Sequence, residues 1–114
     1  MITFNEGSLF TADKAHSLGQ CISGDVRFGM FRGISVEFLT KYPKLEKMRK
    51  LGTLKLGEAL PVKIGEKYIY NLVTKPLHWQ KPKRCNILVA LKCMMEHAVS
   101  NSVSNIALPF IGSG

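Results

Sequence analysis

One segment constrains the fold more than any other: residues 68–73, YIYNLV, are apolar at nearly every position. A strand with one solvated face alternates apolar and polar residues, whereas a strand covered on both faces is apolar almost throughout. The preceding ALPVKI carries Val62 and Ile64 and is followed by a turn signal at residues 65–67, GEK, which predicts a hairpin whose second arm is a central strand. The sequence therefore predicts a sheet that is covered on both sides.

Strand-like and helix-like patterns alternate along the rest of the chain. Short apolar or alternating runs predict further strands at 2–4, 18–22 and 104–111. Helical spacing of apolar residues predicts helices over 34–42, 44–51 and 86–101, with a break at Pro43 and a stop at Gly52. With 114 residues and no linker or repeat, the chain is predicted to be a single α/β domain, residues 1–114, with a mixed sheet.

The formal net charge of +8 indicates an anionic partner, such as a phosphorylated small molecule, a nucleic acid or an acidic protein surface. Basic residues are dense between Lys41 and Lys55, where we favour a solvated helix face over a contact with nucleic acid. The loop LHWQKPKR, residues 77–84, combines Trp79 with three basic residues. We favour a loop that flanks a ligand pocket or has no specific role over one that contacts nucleic acid.

Cysteine and histidine usage points away from a metal or disulfide protein. Cys21, Cys85 and Cys93 show no CxxC spacing, so we expect reduced, mostly buried thiols. The three histidines lack ligand spacing, and we expect neither a metal nor a cofactor. No apolar run approaches the roughly 18 residues of a membrane span, and residues 1–10 do not resemble a signal peptide. We therefore expect an intracellular protein, cytoplasmic or nuclear, without membrane contact.

The order of five motifs resembles the macro domain family, which binds ADP-ribose. The motifs are ITFNEGSLF, QCIS, a glycine-bearing loop leading into GISVEFLTKYP, KYIYNLVTK before a long helix, and LPFIGSG. Within the family, the chain is most similar to the branch of terminal ADP-ribose protein glycohydrolases. The resemblance implies a macro domain-like three-layer α/β/α fold with a mixed sheet, which here lacks the usual last helix and strand.

The resemblance also implies a binding site for ADP-ribose or an ADP-ribosylated protein. In GSLF, Ser8 stands where that branch has an aspartate that contacts the adenine amino group, and Gly29 and Gly33 offer backbone to the diphosphate. The residues that the resemblance places in the ligand pocket are Ser8, Leu9, Gln20, Cys21, Ile22, Ser23, Gly29, Gly33, Thr74, Pro109, Ile111, Gly112, Ser113 and Gly114.

For catalysis, the resemblance implies that Lys75 attacks the anomeric carbon of the distal ribose. An amine attacks only in its unprotonated form, and Lys75 follows an apolar strand and precedes Pro76, which suits a partly buried amine. The implied function is a hydrolase that removes ADP-ribose from acidic side chains of proteins. A non-catalytic ADP-ribose reader and a basic nucleic-acid-binding domain are the alternatives.

In that branch the final glycine turn continues into a leucine and a catalytic aspartate, whereas this sequence stops at Gly114. General acid–base catalysis typically contributes about 100- to 10,000-fold in rate, so we expect hydrolysis to be weakened unless another carboxylate or a second chain supplies it. We also expect a homo-oligomer, or a completing partner segment, at the sheet edge that the last elements would cover.

Overall fold

The computed structural model describes residues 2–4, 17–25, 34–77 and 79–108, which form five strands and three helices. The strands are β1 (Ile2–Phe4), β2 (Ser17–Ser23), β3 (Ala59–Ile64), β4 (Lys67–Lys75) and β5 (Ile106–Leu108). The helices are α1 (Ile34–Lys41), a 3-10 helix (Pro43–Leu51) and α2 (Arg84–Ser100). Each predicted element has its counterpart in these residues.

The strands join into one mixed sheet in the order β1-β5-β2-β4-β3. β4 runs parallel to β2 and antiparallel to β3, and its residues 69–74 are buried. The prediction of a central strand covered on both faces is therefore confirmed. The β3–β4 hairpin turns at Gly65, where φ is +63°, a left-handed conformation that glycine adopts without steric cost.

Two hydrophobic cores lie on opposite faces of this sheet. One core joins β2 and β4, through residues such as Leu18 and Val73, to Phe38 of α1 and Met48 of the 3-10 helix. The other core joins β3, β4 and β5 to Ala90, Met94 and Ala98 of α2. Successive β4 side chains alternate between the cores because strand side chains alternate between sheet faces. The arrangement is the expected three-layer α/β/α sandwich.

The segment after Pro43 forms a helix as predicted, but it winds as a 3-10 helix rather than an α-helix. Leu45 and Met48 are its buried residues. Because a 3-10 helix has three residues per turn, side chains three apart lie on one line and both can face the core. The helix ends at Gly52, which has a φ of +75°.

The cysteine expectation is partly wrong. All three thiols are free, but Cys85 at the start of α2 is exposed, and Cys21 and Cys93 are only half-buried. α2 presents one face to the sheet and the other to solvent, and Cys85 falls on the solvent side. In the described part of the chain, no helix has both the length and the apolar character of a membrane span.

His97 on α2 has a packing role. Its Nδ1 lies 2.8 Å from Tyr70 Oη, and its ring meets the Tyr68 ring edge-on at 4.8 Å. These contacts tie α2 to the middle layer. Among the residues that the structure describes, no three His, Cys, Asp or Glu side chains are grouped to hold a metal ion.

Candidate functional site

The parallel strands β2 and β4 end side by side. Ser23, the last residue of β2, is the Cα partner of Lys75, the last residue of β4, after a register shift between Ile22 and Ser23. The Gly24 N–H donates to the Lys75 carbonyl oxygen at 2.8 Å. Ligands of open α/β sheets bind outside the carboxyl ends of the strands, so this edge is the candidate site.

Gly24 lets a third segment approach these two strand ends. Its carbonyl oxygen accepts a hydrogen bond from the Leu54 N–H at 2.8 Å. A Cβ atom on residue 24 would lie 2.8 Å from the Leu54 carbonyl oxygen and 3.3 Å from that of Pro76. These carbonyl groups belong to backbone that cannot rotate away, so glycine is required by space at this point.

Lys75 is half-buried, and its charge acts on the half-buried thiol of Cys21 in the neighbouring strand. Burial raises the pKa of Cys21 to about 11, while a hydrogen bond with the Thr74 side chain and the positive charge of Lys75 act in the opposite direction. A thiol with so high a pKa stays protonated at neutral pH and is a poor nucleophile. Cys21 is therefore a poor candidate for the nucleophile at this edge.

Gln20 is fully buried and links β2 to β4. Its Nε2 donates to Asn71 Oδ1 at 2.8 Å, and Asn71 Nδ2 donates to the carbonyl oxygens of Leu60 at 3.0 Å and Ile69 at 3.1 Å. Within the described residues, Gln20 Oε1 is buried without a hydrogen-bond partner. The predicted ligand residue Gln20 thus has a partner inside the protein.

Ile22 and Ser23 differ in what they can offer a ligand. The Ile22 side chain is 3% exposed and packs in the core beneath α1 and the 3-10 helix, so only its backbone remains for contacts. The Ser23 hydroxyl donates to Asp25 Oδ1 at 2.5 Å. Because a hydroxyl has one proton, the Ser23 oxygen keeps the capacity to accept a hydrogen bond, although Ser23 is as buried as Ile22, at 3% exposed.

The structure places six of the predicted site residues on β2 and β4, five of them at or near the strand ends and Gln20 in the middle of β2. They are Gln20, Cys21, Ile22, Ser23, Thr74 and Lys75. The other predicted residues lie outside the described ranges. They are Ser8, Leu9, Gly29, Gly33, Pro109, Ile111, Gly112, Ser113 and Gly114.

A cavity of about 170 Å³, which we call the β4–α2 cavity, lies between the end of β4 and the start of α2. Its described lining residues are Leu56, Thr74, Pro76, Gln80, Lys81, Lys83 and Asn86. Thr74 and Pro76 stand on either side of Lys75 in the chain. We predicted that the loop at 77–84 flanks the pocket, but not that Gln80 or Asn86 line a cavity. The available signal was two lysines around a proline, shortly after the strand that carries Lys75.

The fold and this edge define a single-sheet α/β domain with a cleft at the ends of parallel strands. No protein-family model matches the sequence. Human ADP-ribose glycohydrolase OARD1 is 36% identical over 113 residues, which is 99% of this chain and 72% of that protein. The chain belongs to the macro domain family.

Solved structures agree with this assignment. The macrodomain of Mycobacterium tuberculosis DarG matches with a TM-score of 0.84 and 28% identity, covering 100% of this chain and 78% of that one. Thermosipho africanus DarTG, solved in complex with ADP-ribose, matches with a TM-score of 0.80 and covers 99% of this chain and 34% of that one. At 16% identity, the second likeness concerns the fold alone.

Proposed function

We propose that this chain binds ADP-ribose and removes ADP-ribosyl groups from acidic side chains of proteins, with Lys75 as the nucleophile. The supporting observation is the half-buried Lys75 at the end of the central strand, directly beside Ser23. Human OARD1, which shares 36% identity with this chain, is named an ADP-ribose glycohydrolase.

The proposed reaction begins when the unprotonated Lys75 amine attacks the anomeric carbon of the distal ribose. The bond from this carbon to the acceptor carboxylate breaks, and its electron pair leaves with the carboxylate. The new ammonium loses a proton to a base, and water then cleaves the carbon–nitrogen bond to release ADP-ribose and restore the amine. Nucleophilic catalysis of this kind divides one difficult substitution into two easier steps.

Several residues would bind the ligand rather than react with it. The Ser23 hydroxyl donates its proton in a hydrogen bond to Asp25, so its oxygen would accept a hydrogen bond from a ribose hydroxyl. We assign the adenine end to Ser8 and Leu9, and the diphosphate to the glycines at 29 and 33 and the turn at 112–114, which lie outside the described residues.

Two measurements test the proposal. Isothermal titration calorimetry with ADP-ribose measures binding, and a gel assay on a protein automodified at acidic residues measures release. Lys75→Ala should abolish release and retain ADP-ribose binding. Lys92→Ala is a matched control, because Lys92 is an exposed lysine on α2 outside the site. Release that survives Lys75→Ala would exclude the mechanism.

The alternatives give different results in the same assays. Binding of ADP-ribose without release by the parent protein would identify a reader module. Binding of a polynucleotide with a steep salt dependence, together with no binding of ADP-ribose, would identify a nucleic-acid-binding domain.

Self-association remains a prediction. The prediction concerns the edge of the sheet, where a second copy or a completing partner segment would pair with the end strand. Light scattering across a range of concentrations measures the mass in solution. A constant monomer mass would contradict the prediction.

A further inference from the structure

We propose that the β4–α2 cavity is a subsite for a carboxylate side chain of the acceptor protein, one or two residues away from the ADP-ribosylated residue. This inference rests on the proposed function, since it extends the same site toward the protein that carries the modification. It predicts a preference for acidic sequences around the modified side chain.

The first argument is position. Thr74 and Pro76 line the cavity, and they are the chain neighbours of Lys75, which is not itself a described lining residue. Consecutive Cα atoms lie about 3.8 Å apart, and an extended peptide advances roughly 3.3 to 3.6 Å per residue. An acceptor segment whose ester is at the Lys75 amine therefore has its adjacent side chains within reach of the cavity.

The second argument is the kind of polar group that the cavity presents. Gln80 Oε1 accepts a hydrogen bond from the Leu77 N–H at 3.1 Å, which leaves the Gln80 amide nitrogen as the group available to an occupant. Asn86 Oδ1 lies 3.9 Å from the Cys85 sulfur as a weak acceptor, so the Asn86 amide nitrogen is likewise available. Both amide nitrogens thus have no hydrogen-bond partner among the described residues, and as donors they suit an acceptor-only carboxylate.

The third argument is charge. Lys81 and Lys83 line the cavity and are exposed, and its described lining contains no acidic residue. Leu56 and Pro76 supply apolar walls against which the methylene groups of a glutamate side chain can pack. Two cations, two amide donors and an apolar wall together form a site for a short acidic side chain.

A carboxylate is favoured over a nucleic acid by the placement of Trp79. Single strands are held by bases stacked on aromatic rings along a basic groove. Trp79 is 70% exposed but is not among the described residues that line the cavity. The described lining of the cavity therefore offers donors without a stacking surface.

The kinetic test uses two synthetic peptides, each with one ADP-ribosylated glutamate. The residues next to it are glutamates in one peptide and glutamines in the other. The parent protein should show a kcat/KM about 5-fold higher for the acidic peptide, the effect of two partly exposed charge pairs. Lys81→Ala/Lys83→Ala should remove this preference without changing the affinity for free ADP-ribose. Lys47→Ala/Lys92→Ala, which removes the same charge from exposed positions elsewhere, should retain it.

A binding test does not depend on hydrolysis. Trp79 is the only tryptophan of the chain and adjoins Gln80, so its emission reports on this loop without a label. An unmodified glutamate-rich peptide should change the emission of the parent protein but not of the Lys81→Ala/Lys83→Ala variant. This readout remains valid if neither ADP-ribosylated peptide is hydrolysed, in which case the proposed function fails separately.

Three results would overturn the inference. One is equal kcat/KM for both peptides together with unchanged Trp79 emission. Another is a loss of ADP-ribose affinity in Lys81→Ala/Lys83→Ala, which would assign the cavity to the nucleotide. The third is stronger quenching by a single-stranded oligonucleotide than by the acidic peptide, which would assign it to nucleic acid.

Discussion

The substitution Gly24→Ala tests whether close backbone packing fixes the site. The new Cβ would lie 2.8 Å from the Leu54 carbonyl oxygen and 3.3 Å from that of Pro76, and ordinary contacts begin at 3.4 Å. Either the segment at Leu54 or the end of β4 must move by several tenths of an ångström. Overpacking of this kind costs about 1 to 3 kcal/mol, and the reduced freedom of the unfolded chain offsets about 0.4 to 1 kcal/mol. The midpoints of these ranges, about 2 and about 0.7 kcal/mol, leave a net loss of about 1 to 2 kcal/mol in the free energy of unfolding.

The expected change in melting temperature can be worked from the chain length. An unfolding entropy of about 2.1 cal/mol/K per residue gives roughly 0.24 kcal/mol/K for 114 residues. Gly24→Ala should therefore lower Tm by about 4 to 8 °C, measured by circular dichroism. The Gly24 N–H is hydrogen-bonded to the Lys75 carbonyl oxygen. The displacement of the backbone should therefore move the Lys75 amine and lower kcat/KM for release by about 10- to 100-fold.

Gly65→Ala is the matched control. Its φ of +63° strains any other residue by roughly 1 to 2 kcal/mol, but nothing lies within 4 Å of the new Cβ, and the hairpin turn is at the opposite end of β4 from Lys75. It should lose comparable stability and keep full activity. An unchanged Tm in Gly24→Ala, or an equal loss of activity in Gly65→Ala, would refute the reasoning.

Three further predictions concern side chains on β2 and β4. Asn71→Leu should lower the free energy of unfolding by about 2 to 4 kcal/mol in urea titrations, because the Gln20 amide is then buried without a partner; a loss below 1 kcal/mol would contradict this. At pH 8, iodoacetamide should alkylate Cys21 about 100-fold more slowly than a thiol with a pKa of 9, and the exposed Cys85 should react first by peptide mass spectrometry. Because burial raises the pKa of Cys21 from 9.0 to about 11, the unfolded chain loses this proton first, so stability should fall as pH rises from about 9 to 11 and fall less in Cys21→Ala.

The sequence was sufficient for features that depend on local periodicity. The apolar run at 68–73 identified the central strand, and Gly65 and Gly52 marked the ends of two elements. The winding of the helix after Pro43 was missed because a three-residue spacing of apolar residues fits both helix types over so short a segment. The exposure of Cys85 depends on which side of the first turn of α2 contacts the sheet. Packing, rather than the residues of that turn, determines this orientation.

Features that depend on distant segments were not predictable from the sequence. Gln20 and Asn71 are 51 positions apart, and nothing in either local pattern indicates the other. Gly24 resembles any loop glycine until the Leu54 and Pro76 carbonyl groups are placed around it. Lys75 was identified only from the resemblance to the macro domain family. A lysine at the end of a strand has no local sequence pattern that distinguishes it.

The hydrogen bond between the buried Gln20 and Asn71 side chains has a consequence for the register in which β2 pairs with β4. Sliding β2 by two positions along β4 would keep every side chain on its own face of the sheet but set the Gln20 amide opposite Ile69 or Val73. Each buried amide without a hydrogen-bond partner would then cost about 1 to 3 kcal/mol. A shifted register is therefore less stable, even though its apolar side chains still pack together. A polar contact deep in the sheet thereby dictates that Ser23, three residues further on, ends up across from Lys75.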